Sequence, residues 1–132
     1  TPERVDAKIE KHRSPVEIDS FTSIRFSNNV VAGLNIVGYA PNWHETYVFC
    51  GEDGGIFYEN GKITLRRQGE EPFEPELPEQ TTNQDKSFVD AVLGRHEVKV
   101  PGQFAREVVR LTQMIYESGG YRPLESGEKV GE

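Results

Sequence analysis

The residues of this chain best suited by type to chemistry are three histidines (His12, His44 and His96), one cysteine (Cys50) and the glycine cluster Gly51-Glu52-Asp53-Gly54-Gly55. Imidazole titrates near neutrality and serves as acid, base or metal ligand. A thiolate is a nucleophile, and a glycine-rich turn can cradle phosphate. Spacing decides among these. The histidines fall in separate segments with no H-E-x-x-H, and a single cysteine permits neither C-x-x-C nor an internal disulfide. No EF-hand loop is present. The glycine cluster lies between two strand-like runs and not between a strand and a helix, so it reads as a hairpin turn. Each histidine accordingly reads as a surface or hydrogen-bonded residue. Cys50, closing a strand-like run with no base nearby, reads as a buried structural thiol. As a self-contained enzyme the chain is unconvincing.

The elements that would position these residues follow from periodicity. Val5, Ala7 and Ile9 alternate with Asp6, Lys8 and Glu10, and Thr22, Ile24 and Phe26 repeat the pattern, the signature of strands with one wet face. Asn28-Asn29 supplies a turn. Val30 to Tyr39 is longer and more apolar, which predicts a central strand; its Gly33 and Gly38 predict a bulge or a close backbone approach. Ala40-Pro41-Asn42 breaks the run. Thr46 to Cys50, Ile56 to Tyr58 and Lys62 to Arg67 complete a meander, with Asn60-Gly61 the strongest hairpin signal. Residues 68–82 are rich in Glu and Pro, as an extended surface connection should be, with Phe73 and Leu77 available to pin it. Asn83 is placed to cap a helix carrying Phe88, Val89, Val92 and Leu93 on one stripe, closed by Gly94. After Pro101-Gly102, a second helix to Ser118 repeats Phe104, Val108, Leu111 and Ile115 on one face. The expectation is an α+β fold: an open, mainly antiparallel sheet of about six strands with two C-terminal helices packed on one face. The chain is one domain, with the strand meander over 1–67, the connection over 68–82, the helices over 83–118 and a tail over 119–132.

Composition narrows the partners. The 132 residues carry a formal net charge of -7, with 35% hydrophobic and 10% aromatic side chains. That length and aromatic content suit a packed single domain. The acidic balance argues against nucleic acid and against anionic membrane surfaces. No apolar run approaches a membrane span and no signal-peptide pattern opens the chain, so a cytoplasmic protein is expected. The chain begins Thr1-Pro2-Glu3-Arg4 and is at once strand-like, which reads as a sequence that started earlier and was cut.

Ordered motifs then give a resemblance. The run Asp85-Lys86-Ser87-Phe88-Val89-Asp90-Ala91-Val92-Leu93-Gly94 is followed by Pro101-Gly102-Gln103-Phe104-Ala105, Val108-Val109-Arg110-Leu111 and Ile115-Tyr116-Glu117-Ser118. Together with the tail Gly120-Tyr121-Arg122-Pro123-Leu124 and the hairpin Phe49 to Ile56, it resembles the C-terminal part of the Gfo/Idh/MocA oxidoreductases. The resemblance implies the substrate and oligomerisation domain of a two-domain dehydrogenase acting on a sugar, polyol or related hydroxylated compound. A separate N-terminal Rossmann domain would bind NAD or NADP, and this fragment would bind no cofactor. The family's glycine fingerprint and Glu-Lys-Pro motif have no counterpart: Glu10-Lys11 is followed by His12. Its Asp-x-x-x-His relay has none either, because Lys8, Ala40 and Val92 stand four residues before the three histidines. No catalytic residue carries over, and the truncation is expected between the relay helix and Thr1.

One substrate-facing element does carry over by position. In the family, the loop before the strand of the glycine hairpin often presents an aromatic residue to the substrate, and the matching stretch here is Tyr39-Ala40-Pro41-Asn42-Trp43-His44. Trp43 would stack on the apolar face of a sugar ring while Asn42 or His44 hydrogen-bonds its hydroxyls. The bland alternative packs Trp43 against the sheet edge and leaves His44 solvated. A second class of function is non-enzymatic. Val31, Val37, Tyr39, Tyr47 and Phe49 fall on the opposite parity from Leu34, Ile36, Val48 and Cys50, so both faces of the central strands are apolar. A self-associating β-sheet module, or a homodimer or tetramer through the open sheet face, would cover the second face. A small barrel-like enzyme with an internal pocket is the third class, and the strand interiors offer it few acids or bases.

Overall fold

Alternating side chains in the first segments produce strands whose inner row is small or β-branched. The computed structural model describes residues 1–79 and 83–122, which form two units: Thr1–Tyr39 with the chain from Gly94 onward, and Ala40–Leu93. In the first unit β1 (Pro2–Glu10), β2 (Asp19–Phe26) and β3 (Val31–Val37) pair antiparallel in the order β1-β2-β3. Val5 pairs with Ile24, Ala7 with Thr22 and Ile9 with Ser20. Ala7, Ser20, Thr22 and Ile24 are all buried. A helix, which we label α2 (Gly102–Ser118), packs on β1 and buries Ile115. The helix C-terminus is tied to the strand directly, because the Ala7 N–H donates to Ser118 Oγ at 3.0 Å.

Two polar ties complete this unit. Glu17, in the β1–β2 connection, accepts a hydrogen bond from the Tyr116 hydroxyl and lies beside Tyr121, whose ring is 4.7 Å from that of Tyr116. The Lys11 ammonium stands 4.8 Å over the Tyr121 ring. The carboxylate hydrogen bond pushes the Tyr116 phenol up to about 12 and holds the Glu17 carboxyl below its ordinary value. His12 Nε2 lies 2.6 Å from the Asp19 carboxylate, which also accepts the Gly38 N–H at 3.0 Å. The contact with His12 lowers the Asp19 pKa.

In the second unit β4 (Thr46–Gly51), β5 (Gly54–Glu59) and β6 (Lys62–Arg67) form an antiparallel meander in that order, followed by α1 (Gln84–Val92). Gly54 at φ 150° passes the β6 backbone so closely that a Cβ there would lie 2.1 Å from the Arg66 carbonyl oxygen. Asn60 and Gly61, at φ 46° and 95°, make the second turn. Phe73 bridges to Leu65 through paired backbone hydrogen bonds of 2.8 and 3.0 Å, and so pins the acidic connection as expected. Leu77 stays exposed. Asn83 caps α1, its side chain accepting the Lys86 N–H at 2.8 Å.

The α+β class, the six antiparallel strands and the two helices stand as expected, with the strands divided into two three-stranded sheets at the Pro41 break. Several finer expectations do not hold. β3 lies at the edge of its sheet and keeps an unbroken register through Gly33, so there is no bulge there. The close approach is real at Gly38, where a Cβ would stand 2.8 Å from the Ile18 carbonyl oxygen. Cys50 is exposed like every residue of β4, an edge strand. Phe104 and Val108 are exposed, so the buried stripe of α2 is confined to its C-terminal half. α1 buries Asp90, which holds Lys86 at 2.6 Å, and exposes Phe88, Val89 and Val92. Residues 80–82 of the connection, and Pro123 and Leu124 with the rest of the tail, lie outside the described residues.

Candidate functional site

A loop held by the Asn-Gly hairpin

Proline 41 ends the preceding run, and the chain then crosses Asn42, Trp43, His44 and Glu45 before β4 begins. Backbone pairing of β4 with β5 brings the end of this loop beside the β5–β6 turn. Thr46 pairs with Glu59, so Glu45 meets Asn60. Two bonds fix that meeting: the Asn60 N–H donates to the Glu45 carbonyl at 2.9 Å, and the Glu45 N–H donates to Asn60 Oδ1 at 2.8 Å. The Asn60 amide nitrogen then lies 3.2 Å from His44 Nδ1, and His44 Nε2 stands 4.0 Å from a Glu59 oxygen.

Tyr47 and Tyr58 are direct cross-strand neighbours with ring centroids 5.2 Å apart. The Tyr58 hydroxyl reaches Glu45 Oε2 at 3.5 Å, and the Tyr47 hydroxyl donates to Glu45 Oε1. This hydrogen bond and the negative charge raise the Tyr47 pKa, which keeps the phenol protonated. Trp43 is 86% exposed, which removes the reading in which it packs against the sheet edge. Asn42 is exposed.

Of the three residues expected from the sequence, the structure draws His44 into a polar cluster with Asn60 and Glu59, and leaves Trp43 and Asn42 exposed on the same loop. Glu45, Tyr58, Glu59 and Asn60 were not singled out in the sequence as site residues. A signal for them existed. The Asn60-Gly61 turn fixes the β5–β6 register, and extending the β4–β5 pairing back by one residue puts Asn60 opposite Glu45.

The cluster offers an exposed indole, an imidazole, two carboxylates and two phenols. These can stack on a ring and hydrogen-bond hydroxyls. It does not place a nucleophile against a base and an orienting acid. Among the described residues, no group of three or more His, Cys, Asp or Glu is arranged to hold a metal. The glycine hairpin joins β4 to β5 and opens no helix, so it lacks the helix N-terminus of a dinucleotide turn. Among the described residues, no helix is long and apolar enough to cross a membrane.

No protein-family model and no curated protein matches the sequence. Solved structures do share its fold. UDP-N-acetylglucosamine 3-dehydrogenase GnnA from Acidithiobacillus ferrooxidans superposes with a TM-score of 0.81 at 13% identity, over 91% of this chain and 41% of that one. Biliverdin reductase from Synechocystis, solved with biliverdin and NADP+, gives 0.73 at 15% identity over 92% and 41%. The WlbA dehydrogenase from Bordetella pertussis, solved with NADH and UDP-GlcNAcA, gives 0.68 at 18% identity over 90% and 38%. The chain thus spans between 38% and 41% of the length of these three proteins. At such identities the likeness establishes the fold.

Proposed function

We propose that this chain is the substrate-binding and oligomerisation part of an NAD(P)-dependent oxidoreductase of the Gfo/Idh/MocA type, acting on a sugar, polyol or related hydroxylated compound in the cytoplasm. The observation that carries the reading is the superposition of nearly the whole chain on less than half of a UDP-sugar dehydrogenase. In the intact enzyme the hydride would leave a substrate carbon for a nicotinamide held by a Rossmann domain outside this chain, so the fragment alone is catalytically incompetent. This chain's own task is binding. Trp43 gives a flat apolar surface, and Asn42 and His44 hydrogen-bond hydroxyls around it. The Asn60 turn keeps the loop in place, and orientation of this kind matters because a misplacement of about 1 Å can cost ~100-fold in rate.

Trp43 is the single tryptophan, so its emission reports on the loop alone. The test is titration of the chain with UDP-sugars, free hexoses, polyols and biliverdin. A saturable change with a hydroxylated ligand, lost in His44→Ala and absent by calorimetry in Trp43→Ala, is expected. Absence of any saturable response up to ~10 mM, where binding is worth less than ~3 kcal/mol, would remove the loop as a binding site. A response to biliverdin alone would replace the substrate class.

The non-enzymatic reading of a self-associating sheet is favoured by one observation. Phe21, Val31 and Val37 lie on the sheet face opposite α2 and are 51%, 61% and 50% exposed. A homodimer or tetramer through that face would cover them. Sedimentation equilibrium should find an oligomer, and charge insertion by Val31→Glu should dissociate it.

A further inference from the structure

We propose that Asn60 is a positioning residue that fixes His44 as the Nε2–H tautomer, so that the imidazole meets a ligand as a hydrogen-bond donor to an oxygen acceptor and not as a base. The inference rests on the reading of the loop as a binding site and adds to it the polarity of the ligand atom that His44 recognises.

The argument begins with the one group whose role is fixed. A backbone N–H only donates, so the Asn60 atom 2.8 Å from the Glu45 nitrogen is the carbonyl oxygen Oδ1. The amide cannot be the other way round. Its Nδ2, which only donates, is therefore the atom 3.2 Å from His44 Nδ1. Nδ1 must accept, and an accepting ring nitrogen carries no proton. In the neutral imidazole the proton is then on Nε2.

The amide has little freedom to swing away. The Asn60 N–H is bound to the Glu45 carbonyl at 2.9 Å, and the residue sits at φ 46° in the turn. The other tautomer would set two N–H groups face to face across 3.2 Å. That form is disfavoured by up to about tenfold, the scale of one lost hydrogen bond.

What Nε2–H can do follows from its surroundings. Among the described residues its nearest polar partner is Glu59 Oε1 at 4.0 Å, beyond hydrogen-bond reach. His44 is more than half exposed and follows Trp43 in the chain. The donor is therefore open to a hydroxyl, carboxylate or phosphate oxygen of a ligand. A ligand offering only N–H groups finds no acceptor on the imidazole itself.

The test needs no ligand. Histidine-15N-labelled chain at pH about 8.5, above the ordinary imidazole value of ~6.5, is read by long-range proton–nitrogen correlation, and His44→Gln assigns the signal. The expected spectrum has an unprotonated Nδ1 and a protonated Nε2. Asn60→Asp keeps an oxygen for the Glu45 N–H and a residue type that tolerates the turn, but replaces the donor by an acceptor. It should move the proton to Nδ1 and leave Nε2 as an acceptor. A protonated Nδ1 in the unsubstituted chain, or a fast mixture of both forms, would overturn the inference. So would an unchanged tautomer in a folded Asn60→Asp. If that variant does not fold, the first spectrum decides alone. Ligand binding with the opposite tautomer overturns only this inference. The expected tautomer with no ligand response overturns the binding site instead.

Discussion

Ser118→Ala removes the one oxygen that satisfies the Ala7 amide. β1 is at the edge of its sheet, so alternate N–H groups point away from β2, and the Ala7 N–H is bound instead to Ser118 Oγ at 3.0 Å. Ala7 is only 9% exposed, so water replaces the lost acceptor poorly. Leaving a buried donor unpaired costs about 1–3 kcal/mol. Alanine is the better helix former by roughly 0.5 kcal/mol, which acts in the opposite direction. The net expectation is a loss of about 1–2 kcal/mol. With a urea slope of ~1–3 kcal/mol/M for a small protein, the unfolding midpoint should fall by roughly 0.3–2 M. The Ala7 amide should exchange about tenfold faster or more, while Ser118→Thr should preserve both values. A midpoint that is unchanged or raised in Ser118→Ala would refute the reasoning, because propensity alone would then account for the result.

Other substitutions test other parts of the account. Gly54→Ala must place a Cβ 2.1 Å from the Arg66 carbonyl at φ 150°. It should cost at least ~2 kcal/mol by urea melting, whereas Gly51→Ala, with nothing within 4 Å, should be near neutral. Thr22→Val should leave stability unchanged or raise it by up to about 1 kcal/mol, because Thr22 Oγ1 is buried with no partner among the described residues. The Glu17–Tyr116 bond makes stability depend on pH at both ends. Tyr116 is raised from its ordinary 10.0 to about 12, so its contribution is complete below pH 10 and fades as pH rises toward 12. Glu17 is lowered from 4.5, so its contribution is present above that pH and fades as pH falls through the depressed value. Glu17→Gln should flatten both limbs of a melting-temperature profile, and tyrosinate absorbance should lose its last-ionising phenol. Identical profiles for the two proteins would sink this account.

What the sequence made legible was largely local. Alternation from Val5 to Glu10 and the Asn60-Gly61 pair located strands and turns because period and turn chemistry act over a few residues. Lys62–Arg67 fell where it was expected, and Asn83 capped its helix. The failures are tertiary. Phe88 and Val89 make an apolar stripe, yet α1 buries Asp90, and periodicity alone does not say which face meets a neighbour. Cys50 looked buried from its strand, but all of β4 is exposed at the edge of its sheet. Trp43 and His44 were visible as residue types, whereas the Glu45, Glu59 and Asn60 around them are joined only by strand register. Ser118, carried in the sequence as part of a helix-ending motif, proved to act on a residue 111 positions away.

The central proposal, that this chain is the substrate-binding part of a two-domain dehydrogenase, is tested most directly by reading the coding frame upstream of Thr1. The account predicts a further domain, on the order of 100–200 residues, with G-x-G-x-x-G after a strand, then Glu-Lys-Pro and Asp-x-x-x-His in that order. A start codon immediately before Thr1 would contradict it and leave self-association of the sheet as the function to pursue.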